Sequence, residues 1–430
     1  MDKFVINGGN RLKGDVTVGG SKNSALPILA AALLAEGQTV IRNVPNLNDI
    51  AAMIDLLRSL GCSIRREGLD LFIEVRDESN CHAEHDRVRK MRASVCVLGP
   101  LLAKRKQARV SMPGGCVIGN RPVDVHRRGL RLLGADEKLD GGDMVMAAAR
   151  LRGTEIFLGG PFGSTVLGTD NVMMAATLAE GTTIIECAAC EPEVEDLANF
   201  LNNMGAKISG AGTPRITIQG VDKLTGCEHT VIPDRIEAGT FMVAAAITNG
   251  EVAIHNVRLD HMLAVVDRLR EIGVSVEQKN GAVLVSSARH LVPTDVTTQT
   301  YPGFPTDMQA QLMSLLCLAD GNSVITEKIF PDRFGHAAEL SRMGCDIRKE
   351  GPTAIVKGVK QLIGAPVMAS DLRASAGLVI AGLVAKGQTT INRVYHIDRG
   401  YERIEVKLRS LGADIQREED KTTKSQTTDD

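Results

Sequence analysis

The segment SMPGGCVIGNRPVDVH (residues 111–126) places one cysteine in a glycine-rich stretch beside positive charges. Cys116 has glycines on both sides, Arg121 follows shortly, and Arg127 and Arg128 come next. Nearby cations favour the thiolate, which is the nucleophilic form of cysteine. Glycine-rich loops of this kind often carry function. Two interpretations remain open: a reactive thiol on a mobile loop, or an ordinary surface cysteine in a flexible turn.

A second group of candidate residues lies at the starts of apolar segments that are predicted to be helices. A cation at a helix N-terminus faces the positive end of the helix dipole, which disfavours it. A bound anion offsets this cost, because the cation and the exposed N–H groups bind it together. A salt bridge to a neighbouring Asp is the alternative, since PDRIE and SDLRAS carry Asp next to Arg. The cations in question are Lys22, Arg92, Arg235 and Arg373.

The same helix starts carry short acidic and amide side chains. Such residues ordinarily cap the exposed N–H groups of the first turn, and each cap contributes about 1 kcal/mol. Capping is therefore the ordinary explanation for Asp170, Asn171 and Asp234. The remaining members of the group are Asn23, Asp307 and Asp371.

The other cysteines indicate packing rather than chemistry. Cys62, Cys96, Cys317 and Cys345 fall in segments predicted to be helices or strands, and we expect them in the core. CAAC (residues 187–190) lacks a second pair at zinc-ligand spacing, and CHAEH (residues 81–85) is a weak ligand cluster. We therefore expect no metal site.

Composition limits the class of protein. The chain has 430 residues, 43% of them apolar and 24% charged, with a net charge of -2. These values are typical of a globular protein and give no overall basic field for nucleic acid or an anionic membrane. The longest early apolar run, ALPILAAALLA, is too short to span a bilayer, and no secretory signal is recognisable. We expect a cytoplasmic protein without disulfide bonds.

A motif of a leucine-rich helix end, a glycine and a strand occurs six times, about 70 residues apart. Each glycine suits a helix C-terminus, where a left-handed residue is needed. An Ala/Leu-rich helix, apolar on nearly all sides and therefore buried, precedes each copy. Six such units suggest two domains of three, and the N-terminal strand segment has no unit of its own and is expected to complete the last domain. The tail from residue 418 to 430 is predicted to be disordered. The glycines are Gly61, Gly134, Gly205, Gly273, Gly344 and Gly412.

The motifs GGSKNSALP, MRAS, PGGCVIGNRPVDVH, FPTDMQAQ, DLRASAGL and YHIDRGYERIE, in this order, resemble the bacterial UDP-N-acetylglucosamine 1-carboxyvinyltransferase family of enolpyruvyl transferases. The resemblance covers residues 1 to about 417. It implies an α/β fold of two inside-out α/β barrel domains, each with three repeats of a βαβ-type unit. The implied first domain is residues 21–231, and the second combines residues 1–20 with 232–430.

The resemblance also implies an activity. Members of this family transfer the enolpyruvyl group of phosphoenolpyruvate to the 3-hydroxyl of UDP-N-acetylglucosamine and release phosphate. This is the first committed step of peptidoglycan synthesis, and so it serves cell wall biogenesis, cell shape and cell division. No metal or organic cofactor is implied. The expected partners are these two anionic substrates, with no nucleic acid and no membrane, and the sequence favours no particular oligomeric state.

By the same resemblance, Cys116 is the proton donor, forms a covalent adduct with phosphoenolpyruvate and is alkylated by fosfomycin. Asp307 matches the carboxylate beside the sugar hydroxyl, the expected base. Residues matching those around the phosphate and carboxylate are Lys22, Asn23, Arg92, Arg121 and Arg399, with Arg373 nearby; Lys22 and Arg399 are the expected catalytic cations. Residues matching uridine and sugar contacts are Arg121, Pro122, Val123, Asp124, Val125 and Ile329.

One segment departs from the family pattern. FLGGPFGSTVLGTDN (residues 157–171) stands where many members carry a lysine near the nucleotide diphosphate, and it has neither Lys nor Arg. Ser164, Thr165 and Val166 remain as hydroxyl and backbone contacts. A paralogous transferase with another acceptor therefore stays open, as does a non-catalytic UDP-sugar-binding regulator. Cys116 disfavours 5-enolpyruvylshikimate-3-phosphate synthase, and its presence together with Asp307 and Arg399 disfavours a regulator.

Overall fold

The computed structural model of the protein describes residues 2–112, 123–287 and 290–419. Cys116, Arg121 and Pro122 lie outside the described residues, as does most of the predicted disordered tail. The described chain divides into two compact units. We call residues 20–232 the inserted unit, and residues 2–19 together with 233–419 the terminal unit.

Within residues 2–232, the described strands are β1 (Lys3–Asn7), β2 (Lys13–Thr17), β3 (Ala35–Glu36), β4 (Gln38–Arg42), β5 (Cys62–Glu67), β6 (Asp70–Val75), β7 (His82–Ala83), β8 (Gln107–Ser111), β9 (Asp136–Asp140), β10 (Asp143–Ala147), β11 (Glu155–Phe157), β12 (Thr182–Glu186), β13 (Lys207–Ser209), β14 (Arg215–Gln219), β15 (Leu224–Thr225) and β16 (Glu228–Thr230). The helices are α1 (Lys22–Ala31), α2 (Asn48–Ser59), α3 (His85–Val88), α4 (Leu98–Arg105), α5 (Asp124–Leu132), α6 (Val166–Ala176) and α7 (Pro192–Asn203).

Beyond residue 232, the described strands are β17 (Glu251–His255), β18 (Val274–Lys279), β19 (Ala282–Ser287), β20 (Val296–Thr297), β21 (Asn322–Thr326), β22 (Asp346–Glu350), β23 (Thr353–Lys357), β24 (Pro366–Met368), β25 (Gln388–Asn392) and β26 (Asp414–Glu418). The helices are α8 (Arg235–Ile247), α9 (Leu263–Glu271), α10 (Gln309–Leu316), α11 (Gly335–Arg342), α12 (Leu372–Gly382) and α13 (Ile404–Ser410). Short 3₁₀ helices include Arg92–Val97, Thr306–Met308 and Val394–Arg399.

One four-stranded sheet pattern recurs in both units. A short strand runs parallel to its neighbour, and two antiparallel strands complete the sheet. The inserted unit contains the orders β16-β4-β6-β5, β7-β8-β10-β9 and β11-β12-β14-β13. The terminal unit contains β2-β17-β19-β18, β20-β21-β23-β22 and β24-β25-β1-β26. The mixed α/β prediction is confirmed.

The N-terminal segment completes the terminal unit, as the sequence predicted. Strand β1 lies between β25 and β26, and β2 pairs with β17. The predicted tail boundary is wrong by one residue at its start, because β26 continues to Glu418. Glu418 lies opposite Lys3 in the sheet, and their side chains form an ion pair of 3.0 Å.

The helices that the sequence predicted to be buried form the cores. In the inserted unit, α1, α4 and α6 pack together, and in the terminal unit α8, α10 and α12 do so. Helix α12 is buried throughout, α8 except for Arg235, and α6 except for Val166 and Leu167. The outer helices, such as α2 and α9, bury one face only, because polar residues occupy the other.

The six repeat glycines end outer helices with the predicted geometry. Their φ angles lie between 88° and 104°, in the left-handed region where a Cβ atom is strained. The backbone therefore reverses at the same point of each unit and enters the following strand.

Candidate active site

The start of α1 brings Lys22 next to a carboxylate. Ser21 caps the helix by accepting a hydrogen bond from the N–H of Ser24. Lys22 is the first helical residue, is 8% exposed, and its Nζ lies 3.4 Å from Oδ2 of Asp49 in α2. The salt-bridge alternative is thus found for Lys22, although its partner is distant in the sequence.

Two further sequence-predicted residues belong to the same region of the inserted unit. Asn23 is half-buried in the first turn of α1. Arg92 begins the 3₁₀ helix Arg92–Val97, which packs against α1. The structure therefore places Lys22, Asn23 and Arg92 on adjacent elements of one unit.

The start of α5 contributes backbone rather than side chains. Val123 and Val125 are 3% and 8% exposed and belong to the core, whereas Asp124 is exposed. The helix has no side-chain cap among the described residues. Its first-turn N–H groups therefore remain the means by which these residues can contact a ligand.

Two arginines that the sequence placed near the thiol have other partners. Arg127 forms an ion pair with Glu137 in β9. Arg128 donates from Nη2 to the carbonyl oxygens of Phe157 and Gly159, at 3.1 and 2.8 Å. A positive charge thus lies against the segment 157–171, which has none of its own.

The structure also corrects the cap prediction for α6. Thr165 is the N-cap, and its hydroxyl accepts a hydrogen bond from the N–H of Gly168. Ser164 and Val166, its neighbours, are half-buried. Asp170 and Asn171 lie one turn further on, inside the helix, so the predicted capping role is wrong for both.

The buried side chains of Asn171 and Asp170 differ in the hydrogen bonds that the described core residues give them. Asn171 accepts a hydrogen bond from the N–H of Gly99 at 2.8 Å and donates to the carbonyl of Val95 at 3.0 Å. Within the part of the chain that the structure describes, neither carboxylate oxygen of Asp170 has a hydrogen-bond partner. Burial, and then repulsion from Glu191, raises the pKa of Asp170 well above its ordinary value.

In the terminal unit, Asp307 is held by two arginines. It lies in the 3₁₀ helix that precedes α10, and its side chain is 25% exposed. Oδ1 accepts from Nη1 of Arg333 at 2.9 Å, and Oδ2 accepts from Nε of Arg373 at 3.2 Å. A carboxylate has about four lone-pair positions, so each oxygen can accept more than one hydrogen bond.

Arg373 is fully buried at the start of α12. Its guanidinium lies 5.3 Å from the ring centre of Tyr401, a cation–π contact. Burial works to lower the pKa of Arg373, but attraction to Tyr401 and Asp307 outweighs it and the pKa is raised. Nη2 lies 3.2 Å from Oδ2 of Asp307, but neither Nη1 nor Nη2 makes a hydrogen bond of good geometry to the described residues. A buried guanidinium with spare donors suits an anionic ligand.

The aspartates next to Arg235 and Arg373 cap their helices. Asp234 accepts from the N–H groups of Ile236 and Glu237, as the cap prediction stated. Asp371 accepts from the N–H groups of Arg373 and Ala374. A salt bridge to the neighbouring Asp was one of two alternatives for Arg373, and the structure instead pairs Arg373 with Asp307. Arg235 lies 5.6 Å from the ring of Tyr301.

Arg399 ends the 3₁₀ helix Val394–Arg399, which packs against α12. Burial lowers the pKa of His396, and the charge of Arg399 lowers it further. Burial likewise lowers the pKa of His336 to about 4, which attraction to Asp371 opposes and repulsion by Arg333 reinforces. The site is therefore rich in fixed positive charge beside two neutral imidazoles.

Ile329 lies on the turn after β21. Its N–H donates to Oε1 of Glu327 at 2.8 Å, and Glu327 is fully buried. Oε2 of Glu327 accepts from Thr306, the residue before Asp307, at 2.9 Å. Ile329 and Asp307 are thus connected through one carboxylate.

The terminal unit therefore brings Asp307, Arg373 and Ile329 into one network, and the 3₁₀ helix that ends at Arg399 packs against the helix that carries Arg373. Sequence reasoning missed Arg333 and Glu327. No signal in the sequence pointed to Glu327, whereas FPDRF, with an Asp–Arg pair after a strand, resembled the other helix starts. Both residues contact Asp307 or its neighbour only after β21 has been placed beside the 3₁₀ helix.

The described residues hold no group of three or more His, Cys, Asp or Glu side chains arranged to bind a metal. Cys62, Cys96, Cys317 and Cys345 are buried, which confirms the core prediction. Across the described residues, each helix falls short of the length and apolarity needed to cross a bilayer.

Comparison with known proteins defines the class first. The family model for EPSP synthase (3-phosphoshikimate 1-carboxyvinyltransferase) matches residues 6–408. The enolpyruvyl transferase NikO from Streptomyces tendae superposes with a TM-score of 0.88 at 26% identity, over 97% of this chain and 98% of NikO. EPSP synthase from Acinetobacter baumannii gives a TM-score of 0.75 at 22% identity, over 97% and 100%, a likeness of fold.

Curated relatives narrow the class. A UDP-N-acetylglucosamine 1-carboxyvinyltransferase from Methylacidiphilum infernorum is 56% identical over 417 residues, covering 97% of this chain and 99% of the relative. One from Myxococcus xanthus is 54% identical over 421 residues, covering 97% and 100%. The chain belongs to the EPSP synthase family, and within it to the group of UDP-N-acetylglucosamine 1-carboxyvinyltransferases. The resemblance drawn from the motifs is confirmed.

Proposed function

We propose that this protein transfers the enolpyruvyl group of phosphoenolpyruvate to the 3-hydroxyl of UDP-N-acetylglucosamine and releases phosphate. The observation that carries this assignment is the full-length identity of 52–56% to relatives that bear the name of this activity. The two units correspond to two inside-out α/β barrel domains, residues 21–231 and residues 1–20 with 232–430.

The reaction requires three proton transfers, two in the addition step and one in the elimination step. A proton is added to the methylene carbon of phosphoenolpyruvate while the sugar oxygen bonds to the adjacent carbon and loses its own proton. The adduct then loses phosphate and a methyl proton, which restores the double bond. A proton donor and a base divide this work, and each such group contributes about 10²–10⁴-fold.

Asp307 is the base in this proposal. Its carboxylate is partly exposed, and the two arginines on separate oxygens fix its orientation. Fixed orientation matters because an error of 1 Å in the placement of reacting groups costs on the order of 100-fold in rate. The neighbouring Ile329 supplies an apolar contact for the sugar nucleotide.

The cations bind the two anionic substrates. Lys22, Asn23, Arg92 and Arg121 serve the phosphate and carboxylate in this proposal. Arg373 and Arg399 serve them as well, and the spare donors of Arg373 support this role. Positive groups in place before the reaction stabilise the phosphate as charge develops on it.

Cys116 is the proton donor, forms the covalent adduct with phosphoenolpyruvate and is the target of fosfomycin. The stretch Arg121, Pro122, Val123, Asp124 and Val125, together with Ser164, Thr165 and Val166, contacts the nucleotide. For Val123 and Val125 the contact is made by the backbone, since their side chains are in the core. No cofactor and no metal take part.

A transferase with another acceptor is the second candidate. The observation that favours it is the segment 157–171 without Lys or Arg. Arg128 weakens this candidate, because its side chain brings a cation to the carbonyls of Phe157 and Gly159. A non-catalytic regulator is the third interpretation of the sequence. Such a protein needs neither the proton donor Cys116 nor the base Asp307.

In the cell, this activity is the first committed step of peptidoglycan synthesis, in the cytoplasm. It thereby supports cell wall biogenesis, cell shape and cell division.

The test is phosphate release on mixing purified protein with phosphoenolpyruvate and UDP-N-acetylglucosamine. We expect release that depends on both substrates and is absent from the Cys116→Ala variant. Release with a different sugar nucleotide alone would establish the second candidate. No release above that of the Cys116→Ala control, with UDP-sugar binding intact, would establish a regulator.

A further inference from the structure

Glu327 is a buried carboxylate at the end of β21, and the described structure gives it four hydrogen bonds. Oε1 accepts from the hydroxyl of Thr298 at 2.7 Å and from the N–H groups of Ile329 and Phe330 at 2.8 and 2.9 Å. Oε2 accepts from the hydroxyl of Thr306 at 2.9 Å. The side chain is fully buried.

A buried carboxylate is costly unless hydrogen bonds replace the water it has lost. Hydrogen bonds to a charged acceptor are shorter and roughly twice as strong as neutral ones. Glu327 therefore fixes the positions of all four donors, since the displacement of any one leaves part of a buried charge unsatisfied.

One arm of this network leads to Asp307. The hydroxyl of Thr306 donates to Glu327 and accepts from Nη1 of Arg333 at 3.0 Å. The same nitrogen donates to Oδ1 of Asp307 at 2.9 Å. The direction of each bond is thus determined: Arg333 donates to Thr306, and Thr306 donates to Glu327.

The other arm leads to the turn that carries Ile329. Two successive N–H groups of this turn point at Oε1 of Glu327, which holds the turn against the end of β21. The carboxylate therefore fixes both the proposed base and the proposed sugar contact.

We propose that Glu327 is a positioning residue for the transfer reaction: one arm, through Thr306 and Arg333, orients Asp307 for proton removal, and the other sets the Ile329 turn against the sugar nucleotide. The inference rests on the proposed function and deepens it. Glu327 does not touch the substrates and acts only through the groups it holds.

Two variants distinguish the loss of the Glu327 network from a general loss of stability. Glu327→Gln keeps the size of the side chain and can retain the turn through its carbonyl, but its amide faces Thr306 as a donor. Thr306 then meets two donors and loses its acceptor. Thr306→Val keeps the shape of Thr306 and removes its hydroxyl. The matched control is Thr326→Val, one residue before Glu327. This substitution removes a hydroxyl whose hydrogen bond, within the described residues, is to Thr353 at 3.3 Å.

Steady-state kinetics with phosphoenolpyruvate and UDP-N-acetylglucosamine form the test, together with melting temperature. We expect kcat to fall on the order of 10- to 100-fold in Glu327→Gln and Thr306→Val, with KM for phosphoenolpyruvate within about twofold. Thr326→Val should keep both constants. The folded fraction at the assay temperature should remain complete in all three.

The outcomes are distinguishable. Wild-type protein without phosphate release would refute the proposed function itself. An active wild type with kcat within twofold in Thr306→Val would overturn the role of Glu327, as would equal losses in Thr306→Val and Thr326→Val. Should Glu327→Gln fail to fold, Thr306→Val still decides, because its half-buried side chain is replaced by one of the same shape.

Discussion

Arg373 donates from Nε to Oδ2 of Asp307 across 3.2 Å, although the two residues begin different helices of the terminal unit. The guanidinium is fully buried while the carboxylate is partly exposed. The buried cation is therefore stabilised by a carboxylate that is 25% exposed, and the proposed base belongs to the same pair.

Removal of the carboxylate should abolish turnover. In Asp307→Ala, the sugar hydroxyl loses its proposed base, and we expect kcat to fall by about 10²-fold or more. The fold should persist, which far-UV circular dichroism checks. Near-normal turnover in this variant would remove Asp307 from the mechanism.

Removal of the buried cation Arg373 should lower both the turnover and the free energy of unfolding. In Arg373→Met, Asp307 loses one of its two arginines and Tyr401 its cation, so we expect impaired turnover and a lower free energy of unfolding. Loss of one partner of a buried pair costs roughly 3–5 kcal/mol in other proteins. Urea denaturation measures the change. Arg348→Met is the control, because its ion pair with Glu350 is exposed and should matter by under about 1 kcal/mol.

Fosfomycin should label Cys116 selectively. Among the described cysteines, every thiol whose pKa departs from its ordinary value has a raised pKa; burial raises the pKa of Cys62 and of Cys227 to about 11. Raised pKa values leave little thiolate at neutral pH. Peptide mass spectrometry should find the label on Cys116 and none in Cys116→Ser. Label concentrated on another cysteine would contradict the assignment.

His336 should make stability depend on pH on the acid side. Its pKa is about 4 in the folded protein and 6.5 when unperturbed, so the unfolded chain binds the extra proton first as pH falls. The contribution is complete above pH 6.5 and is lost as pH falls towards 4. The free energy of unfolding should decline over this window by up to about 3 kcal/mol from this residue.

His336→Phe should flatten that decline, since Phe fills the same buried space beside Phe334 without titrating. His85→Gln is the matched control, because His85 is exposed and its replacement should leave the profile unchanged. Equal slopes in wild type and His336→Phe between pH 6.5 and 4 would show that other groups cause the acid sensitivity.

Asp170→Asn should stabilise the protein at neutral pH. The pKa of Asp170 is raised in the folded state, so its contribution to stability is present below the unfolded pKa of about 3.8 and is lost as pH rises. An amide carries no charge to desolvate. Thermal unfolding should show a higher Tm for the variant at pH 7 and a smaller difference at pH 4; a lower Tm at pH 7 would contradict the sign.

The repeat could be predicted from the sequence because its signals are local. A left-handed glycine after an amphipathic helix, such as Gly61, depends on neighbours within a few residues. The buried helices could be predicted in the same way, since a helix that is apolar on all sides is stable only when it is buried. The placement of β1 could also be predicted. The N-terminal segment belongs to none of the six repeats, so it was expected to complete a sheet of the last domain.

The site was only partly predictable, because its partners are distant in the sequence. Asp307 and Arg373 were singled out individually, but nothing local indicated that they would pair. Thr165 displaced Asp170 as the cap because α6 begins earlier than the polar residues suggested. The role of Glu327 could not be predicted, because a lone Glu after a strand ordinarily faces solvent. Only the fold shows that this side chain is buried.

The position of β1 has a consequence for synthesis of the chain. Ile6 pairs with Thr389 on one side and Ile415 on the other, so β1 lies unpaired in the nascent chain until β25 and β26 have been translated. Residues 20–232 face no such delay, because all strands of their sheets lie within that range. The inserted unit should therefore fold early in the nascent chain. The terminal unit can complete its sheets only after β25 and β26 have been translated and pair with β1.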